Sequence, residues 1–187
     1  QVLVHAGCCF ADFYRDLTNP QGLIALSPRS PNHQTLIDCG QPDTPGAFVV
    51  APHLSAFDIA LLALAYHGLH AKVLTYGNPT GGYEIQNQIR ASTGLDITPV
   101  RSEETHLEAV EWMRAGGVVI TAVDRPIRRK AHTLTFFDHP SPLPAGHIRM
   151  ALEARVPVLV VAAHRTPDRQ YHIKLSAPIV MQRLKDK

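Results

Sequence analysis

The sequence predicts an α/β fold, a layered arrangement with a largely parallel, mixed central sheet flanked by helices. Three observations carry that prediction. Apolar runs at residues 47–51, 118–123 and 156–163 read as strands buried on both faces. Stretches of helical period at 57–68, 83–93 and 103–115 lie between them. Gly68, Gly94 and Gly116-Gly117 close those stretches, where a helix must stop before the next strand begins.

In chain order, residues 8–17 place Cys8, Cys9, Phe10, Phe13, Tyr14 and Leu17 roughly on one helical face, with Asp12, Arg15 and Asp16 on the other. Residues 19–45 are rich in Pro, Asn and Ser, and are expected to hold one short helix, 33–39, within loop. The organised core starts after Pro45-Gly46 with strand 47–51 and helix 57–68. Strand 73–76, helix 83–93, strand 97–100, helix 103–115 and strand 118–123 follow. Residues 133–137 are extended, 140–144 form a Pro-rich turn and 146–154 a helix. Residues 156–163 make a fully buried strand, and 171–175 alternate like an edge strand. The chain reads as one domain, with 1–45 as a helical and loop lead-in and 46–180 as the α/β core.

Its 187 residues suffice for a full hydrophobic core, and a net charge of +2 is too small to argue for nucleic acid. Cys8, Cys9 and Cys39 have neither metal spacing nor a disulfide plan, so reduced thiols are expected. The apolar stretch beside the first strand, 59–66, is far short of the ~20 residues that span a bilayer. The chain opens on Gln1, which leaves room for an upstream anchor or targeting segment.

Three histidines have an acidic residue five positions on: His33/Asp38, His53/Asp58 and His106/Glu111. About one such match is expected by chance, so context decides. On a helix that separation is ~140°, so His106 and Glu111 diverge on a solvated face. His33 and Asp38 sit in a polar, Pro-flanked segment with no strand to position them. His53 leaves a buried strand and Asp58 opens a helix, the place where open α/β sheets build their sites. A plainer reading competes: Ser55-x-x-Asp58 has the pattern of a capping box, which would employ Asp58 on helix amides.

His53-Leu54-Ser55-Ala56-Phe57-Asp58 resembles the first signature block of the lysophospholipid acyltransferase superfamily, a His-x4-Asp at a strand-to-helix turn. Gly77-Asn78-Pro79, Asn87-Gln88-Ile89-Arg90 and Gly94-Leu95-Asp96-Ile97-Thr98-Pro99-Val100 resemble the second block. Leu107 to Gly117, followed by Val118-Val119-Ile120-Thr121-Ala122-Val123-Asp124, resembles the approach to the third. Phe136-Phe137-Asp138-His139-Pro140, Pro144-Ala145-Gly146 and Ala151-Leu152-Glu153-Ala154-Arg155-Val156-Pro157-Val158 resemble the closing section. The Phe-Phe and Pro-x-Gly features favour the bacterial lipid A and phosphatidylinositol mannoside acyltransferase branch. That branch usually has Asn-Trp-Glu where this chain reads Ala56-Phe57-Asp58, and Gln or His at the place of Arg125. The Glu-Gly-Thr of the glycerolipid branch is absent at 124–126.

The resemblance implies transfer of a fatty acyl group from a thioester, on acyl carrier protein or coenzyme A, to a hydroxyl of a phospholipid or glycolipid precursor, with no cofactor and no metal. His53 would be the general base, and Asp58 would accept from its other ring nitrogen. That reading requires the two side chains to meet at a lipid-sized groove. Arg90 would contact an acceptor phosphate, or else be a solvated residue near a helix end. Asp124 would orient an acceptor hydroxyl or, by slight preference, pair with Arg125. Ser55 and Arg125 complete the expected substrate contacts. Ser55 is not expected to be a nucleophile, since the chain lacks a Gly-x-Ser-x-Gly elbow. Helix-start amides or the glycines 116–117 would stabilise the oxyanion. Arg128-Arg129-Lys130 would meet the donor, anionic lipid heads or nothing. His164 is the other histidine able to approach the site. The expected location is peripheral, at the cytoplasmic face of the inner membrane, with contact through an apolar patch at the amphipathic start of the chain or in an upstream segment. Two rival readings are a metal-dependent hydrolase on His53, Asp58, Asp124 and His164, and a lipid-binding domain without catalysis.

Overall fold

The computed structural model describes residues 2–41, 43–125 and 131–182. Its centre is a six-stranded sheet built from β1 (Ala47–Ala51), β2 (Ala71–Tyr76), β3 (Asp96–Val100), β4 (Val118–Ala122), β7 (Val158–Arg165) and β8 (Tyr171–Leu175), in the order β3-β2-β4-β1-β7-β8. All neighbours are parallel except β7 and β8. Parallel strands need covered faces, which is why β1 is apolar and buried at every position.

Alternation divides the core in two. Ala47, Val49, Val73, Val118 and Ile120 face α1 (Val2–Asp16), α3 (Pro31–Asp38) and α4 (Phe57–Tyr66). Phe48, Val50, Leu74 and Val119 face α6 (Glu103–Arg114) and α7 (Gly146–Ala154). α5 (Gly82–Ser92) buries no residue fully and leans on the first cluster through Ile89. Gly46 admits no side chain: a Cβ there would lie 2.0 Å from the Met113 carbonyl oxygen.

The lead-in holds more helix than expected, because α2 (Pro20–Leu26) forms behind an Asn19 cap. The face that α1 buries is also different. Cys9, Asp12, Phe13 and Asp16 are buried, while Phe10 and Tyr14 are exposed. Asp12 is drawn in because it accepts from the Tyr171 hydroxyl (2.9 Å), Arg165 (3.2 Å) and Arg169 (3.1 Å), tying α1 to β7 and β8. Burial alone would raise its carboxyl. The hydrogen bonds from Tyr171, Arg169 and Arg165 hold it below the usual carboxylate range. Residues 156–163 are less enclosed than expected, since Val160 is exposed.

The Pro-rich turn is instead a strand. β5 (Ala131–Phe136) and β6 (His139–Pro144) form a hairpin closed by Phe137-Asp138, both at positive φ (49° and 61°), as a type I′ turn requires. With Phe136 opposite His139 as the bonded pair, Pro140, Pro142 and Pro144 fall at the alternate positions, whose amides face outward. Proline loses no ladder bond there, so the strand forms despite it.

Candidate active site

The connections that follow the parallel strands β1 and β4 leave on opposite faces of the sheet. β1 runs on into α4 on one face of the sheet, and β4 leads by way of the hairpin to α7 on the other. The crevice between their carboxyl ends is the topological switch point, where such sheets place their ligands. β1 and β4 pair in register, Ala51 with Ala122, and the Val123 amide donates to the Ala51 carbonyl. Two residues further, that register sets His53 opposite Asp124.

The two side chains meet there. His53 Nδ1 lies 2.5 Å from Asp124 Oδ1, and the His53 backbone amide donates to Asp124 Oδ2 at 2.9 Å. Both side chains keep access to solvent, 35% and 40% exposed. Burial pushes the Asp124 carboxyl up. The hydrogen bonds from the His53 ring and amide outweigh this and hold it below its ordinary value, so it stays an anion.

The expected pairing of His53 with Asp58 does not occur. Asp58, in the first turn of α4, accepts from Arg90 on α5: Oδ1 takes bonds from Nε (2.9 Å) and Nη2 (2.6 Å). Arg90 Nη1 donates to Asn87 Oδ1 (3.0 Å), so the guanidinium is fixed on both sides. Sequence proximity suggested one dyad, whereas strand register supplies another carboxylate and leaves Asp58 to a half-buried cation. Asp124 does not pair with Arg125, which donates to the Tyr83 hydroxyl (2.7 Å) and lies near that ring. The capping box is also absent. The N-cap of α4 is Ala56, one residue too late for Ser55, which is exposed at the turn.

Gly116 and Gly117 precede β4, at the edge of the sheet opposite His53, so they do not serve an oxyanion. The first-turn amides of Asp58 and Ile59 remain candidates, because helix geometry gives them no internal acceptor. His164 is exposed and stacks loosely on His172, with ring centroids 6.0 Å apart. His106 bonds Glu153 of α7 at 2.6 Å, half-buried rather than solvated, while Glu111 is exposed. Arg128, Arg129 and Lys130 lie outside the described residues. Among the described residues no group of three His, Cys, Asp or Glu side chains could hold a metal ion, so the ligand set of a metal-dependent hydrolase is not assembled.

Two spaces flank the crevice. Beneath Pro52 and Phe57 an apolar gap of ≈ 20 Å³ holds about one water at most. On the α7 face a cavity of ≈ 530 Å³, lined by Val123, Leu134, Leu143, Ile148 and Leu152 among others, is within the size range of small-molecule sites. Val123 precedes Asp124 in the chain, but neither Asp124 nor His53 lines this cavity.

His53 and Asp124 are each visible in the sequence at the ends of buried strands, but their pairing is not. Tyr83 and the space behind Val123 carry no sequence signal, because the hairpin creates that space. Residues 37–187 match the model of the family described as bacterial lipid A biosynthesis acyltransferase. No curated protein matches the chain. Among the described residues no helix is long and apolar enough to cross a membrane.

Proposed function

The chain belongs to the bacterial lipid A biosynthesis acyltransferase family, and on that premise we propose how this member works. It moves a fatty acyl group from a thioester, carried by acyl carrier protein or coenzyme A, to a hydroxyl of a phospholipid or glycolipid precursor. The observation that carries the reading is the two-point contact of Asp124 with His53 at the switch point. A carboxylate on Nδ1 fixes the proton there and leaves the Nε2 lone pair free to act as base.

Nε2 takes the proton of the acceptor hydroxyl as its oxygen attacks the thioester carbonyl. The tetrahedral intermediate collapses with loss of the thiolate, and the imidazolium returns the proton to that sulfur. Asp124 stays ionised throughout and stabilises the imidazolium, a role supported by its lowered pKa. First-turn amides of α4 receive the oxyanion. The acyl chain occupies the apolar cavity behind Val123. Arg90, held by Asp58 and Asn87, keeps N–H donors for an acceptor phosphate. Ser55, exposed in the turn after His53, and Arg125, next to Asp124, contact the acceptor headgroup. No cofactor takes part, and the protein works peripherally at the cytoplasmic face of the inner membrane.

The test is to incubate purified protein with labelled acyl thioesters and a total lipid extract, and to identify the product by mass spectrometry. A labelled lipid is expected from the wild type, and at least ~10² less from His53→Ala. Equal product from a folded His53→Ala protein would leave lipid binding without catalysis as the better description.

A further inference from the structure

The β5–β6 hairpin contains the most exposed aromatic of the described residues in a conformation that disfavours it. Phe137 is 82% exposed, with φ at 49°, where a bulky side chain is strained and where type I′ turns take Asn, Asp or Gly. Its ring meets that of Phe136 edge to face at 4.6 Å, and Phe136 is itself 54% exposed. Neither packing nor turn preference accounts for an aromatic at this position. Leu134, two residues before Phe136 on the same strand face, is 51% exposed and also lines the cavity behind Val123. The exposed apolar face of the hairpin is therefore continuous with the cavity lined by Val123, the residue before Asp124.

We infer that this hairpin is the element that enters the lipid bilayer, with Phe136 and Phe137 among the acyl chains and Leu134 marking the route from bilayer to cavity. The inference rests on the acyl-transfer reading, because that reading supplies the reason for a lipid to travel this path. Two observations favour a bilayer over a protein. Pro140, Pro142 and Pro144 remove every outward amide of β6, so a second copy finds no donors along that edge and only the β5 edge could take a strand. The same loss lowers the cost of placing the edge in a medium without water, where each unpaired donor is penalised. Three side chains, two on β5 and one in the turn, also fall well short of the ~800 Å² per partner that a stable protein interface buries. The exposed Phe10 and Tyr14 of α1 belong to the helix layer on the opposite face of the sheet from the cavity, so they offer no such route.

The experiment measures sedimentation of the full chain with sucrose-loaded vesicles of phosphatidylethanolamine and phosphatidylglycerol. Phe137→Asn is expected to weaken partition roughly tenfold, and Phe136→Ser with Phe137→Asn roughly a hundredfold. Asn suits the turn, so the thermal midpoint of Phe137→Asn is expected to hold or rise. Loss of binding therefore cannot come from unfolding. In a Phe137→Trp protein, brominated lipid is expected to quench emission beyond the quenching of Trp112 measured in the wild type. Absence of vesicle binding by the wild type, unchanged partition of the double variant, or no added quenching would each overturn the inference. His53→Ala is expected to bind vesicles like the wild type. A failed hairpin is thus separable from a failed catalytic reading: the first leaves turnover intact, and the second leaves vesicle binding intact.

Discussion

His33 and His53 share one spacing to an acidic residue and live in opposite environments. His33 is 1% exposed. Its Nδ1 accepts from the Ser30 amide at 3.3 Å, and its Nε2 faces the Ser27 hydroxyl at 3.3 Å, which in turn donates to the Tyr171 carbonyl. Asp38 is bonded by Gln34 instead, at 2.5 Å. Burial first, and then the neighbouring His67, His172 and Arg29, push the His33 pKa down to about 4, so the ring stays neutral. His53 stands at a strand end, open to solvent, with a carboxylate on one nitrogen. One ring is a structural wedge between α3 and β8, and the other is the base of the proposed mechanism. The partners brought by tertiary structure make the difference, since the local pattern is the same.

The sharpest way to break this comparison is Asp124→Asn. It should lower kcat by roughly 10³–10⁴-fold with an unchanged urea midpoint, because the amide favours the wrong imidazole tautomer. A rate within tenfold of wild type would remove Asp124 from the dyad.

His33 gives the next effect, on stability alone. The unfolded ring takes a proton near pH 6.5 and the folded one only near 4. Its contribution is complete above 6.5 and drains away as pH falls to 4, a loss of roughly 3 kcal/mol. Urea unfolding of wild type and His33→Gln across that window should show the decline in the wild type and a flatter profile in the variant. Activity per folded molecule should match at pH 7.5.

Asp58→Asn should do least. With Arg90 released, KM for the acceptor should rise up to about tenfold while kcat changes little. A collapse of kcat like that of Asp124→Asn would return Asp58 to the chemistry.

Elements governed by local pattern were legible in the sequence. The boundaries of β1, α7 and β8 follow directly from apolar runs, a Gly start and alternation. β6 was not, because three prolines normally mark a turn and become tolerable only at the outward positions of a hairpin. Asp124 could be seen at a strand end, but its partnership depends on which strands are neighbours and in what register. Periodicity does not encode either. The Asp12 cluster was hidden for the same reason: Arg165, Arg169 and Tyr171 arrive from more than 150 residues away.

The in-register pairing of β1 with β4 has a consequence for how this chain can change over generations. Side chains alternate along a strand, so adding or deleting one residue between Ala51 and His53, or between Ala122 and Asp124, would turn that group to the other face and uncouple the pair. The long excursion through α4, β2, α5, β3 and α6 carries no such restriction, because its length does not enter the alignment of the two strand ends. Duplications and deletions should therefore accumulate in the loops of that excursion, away from Asp58 and Arg90, and be purged within two residues of either strand end.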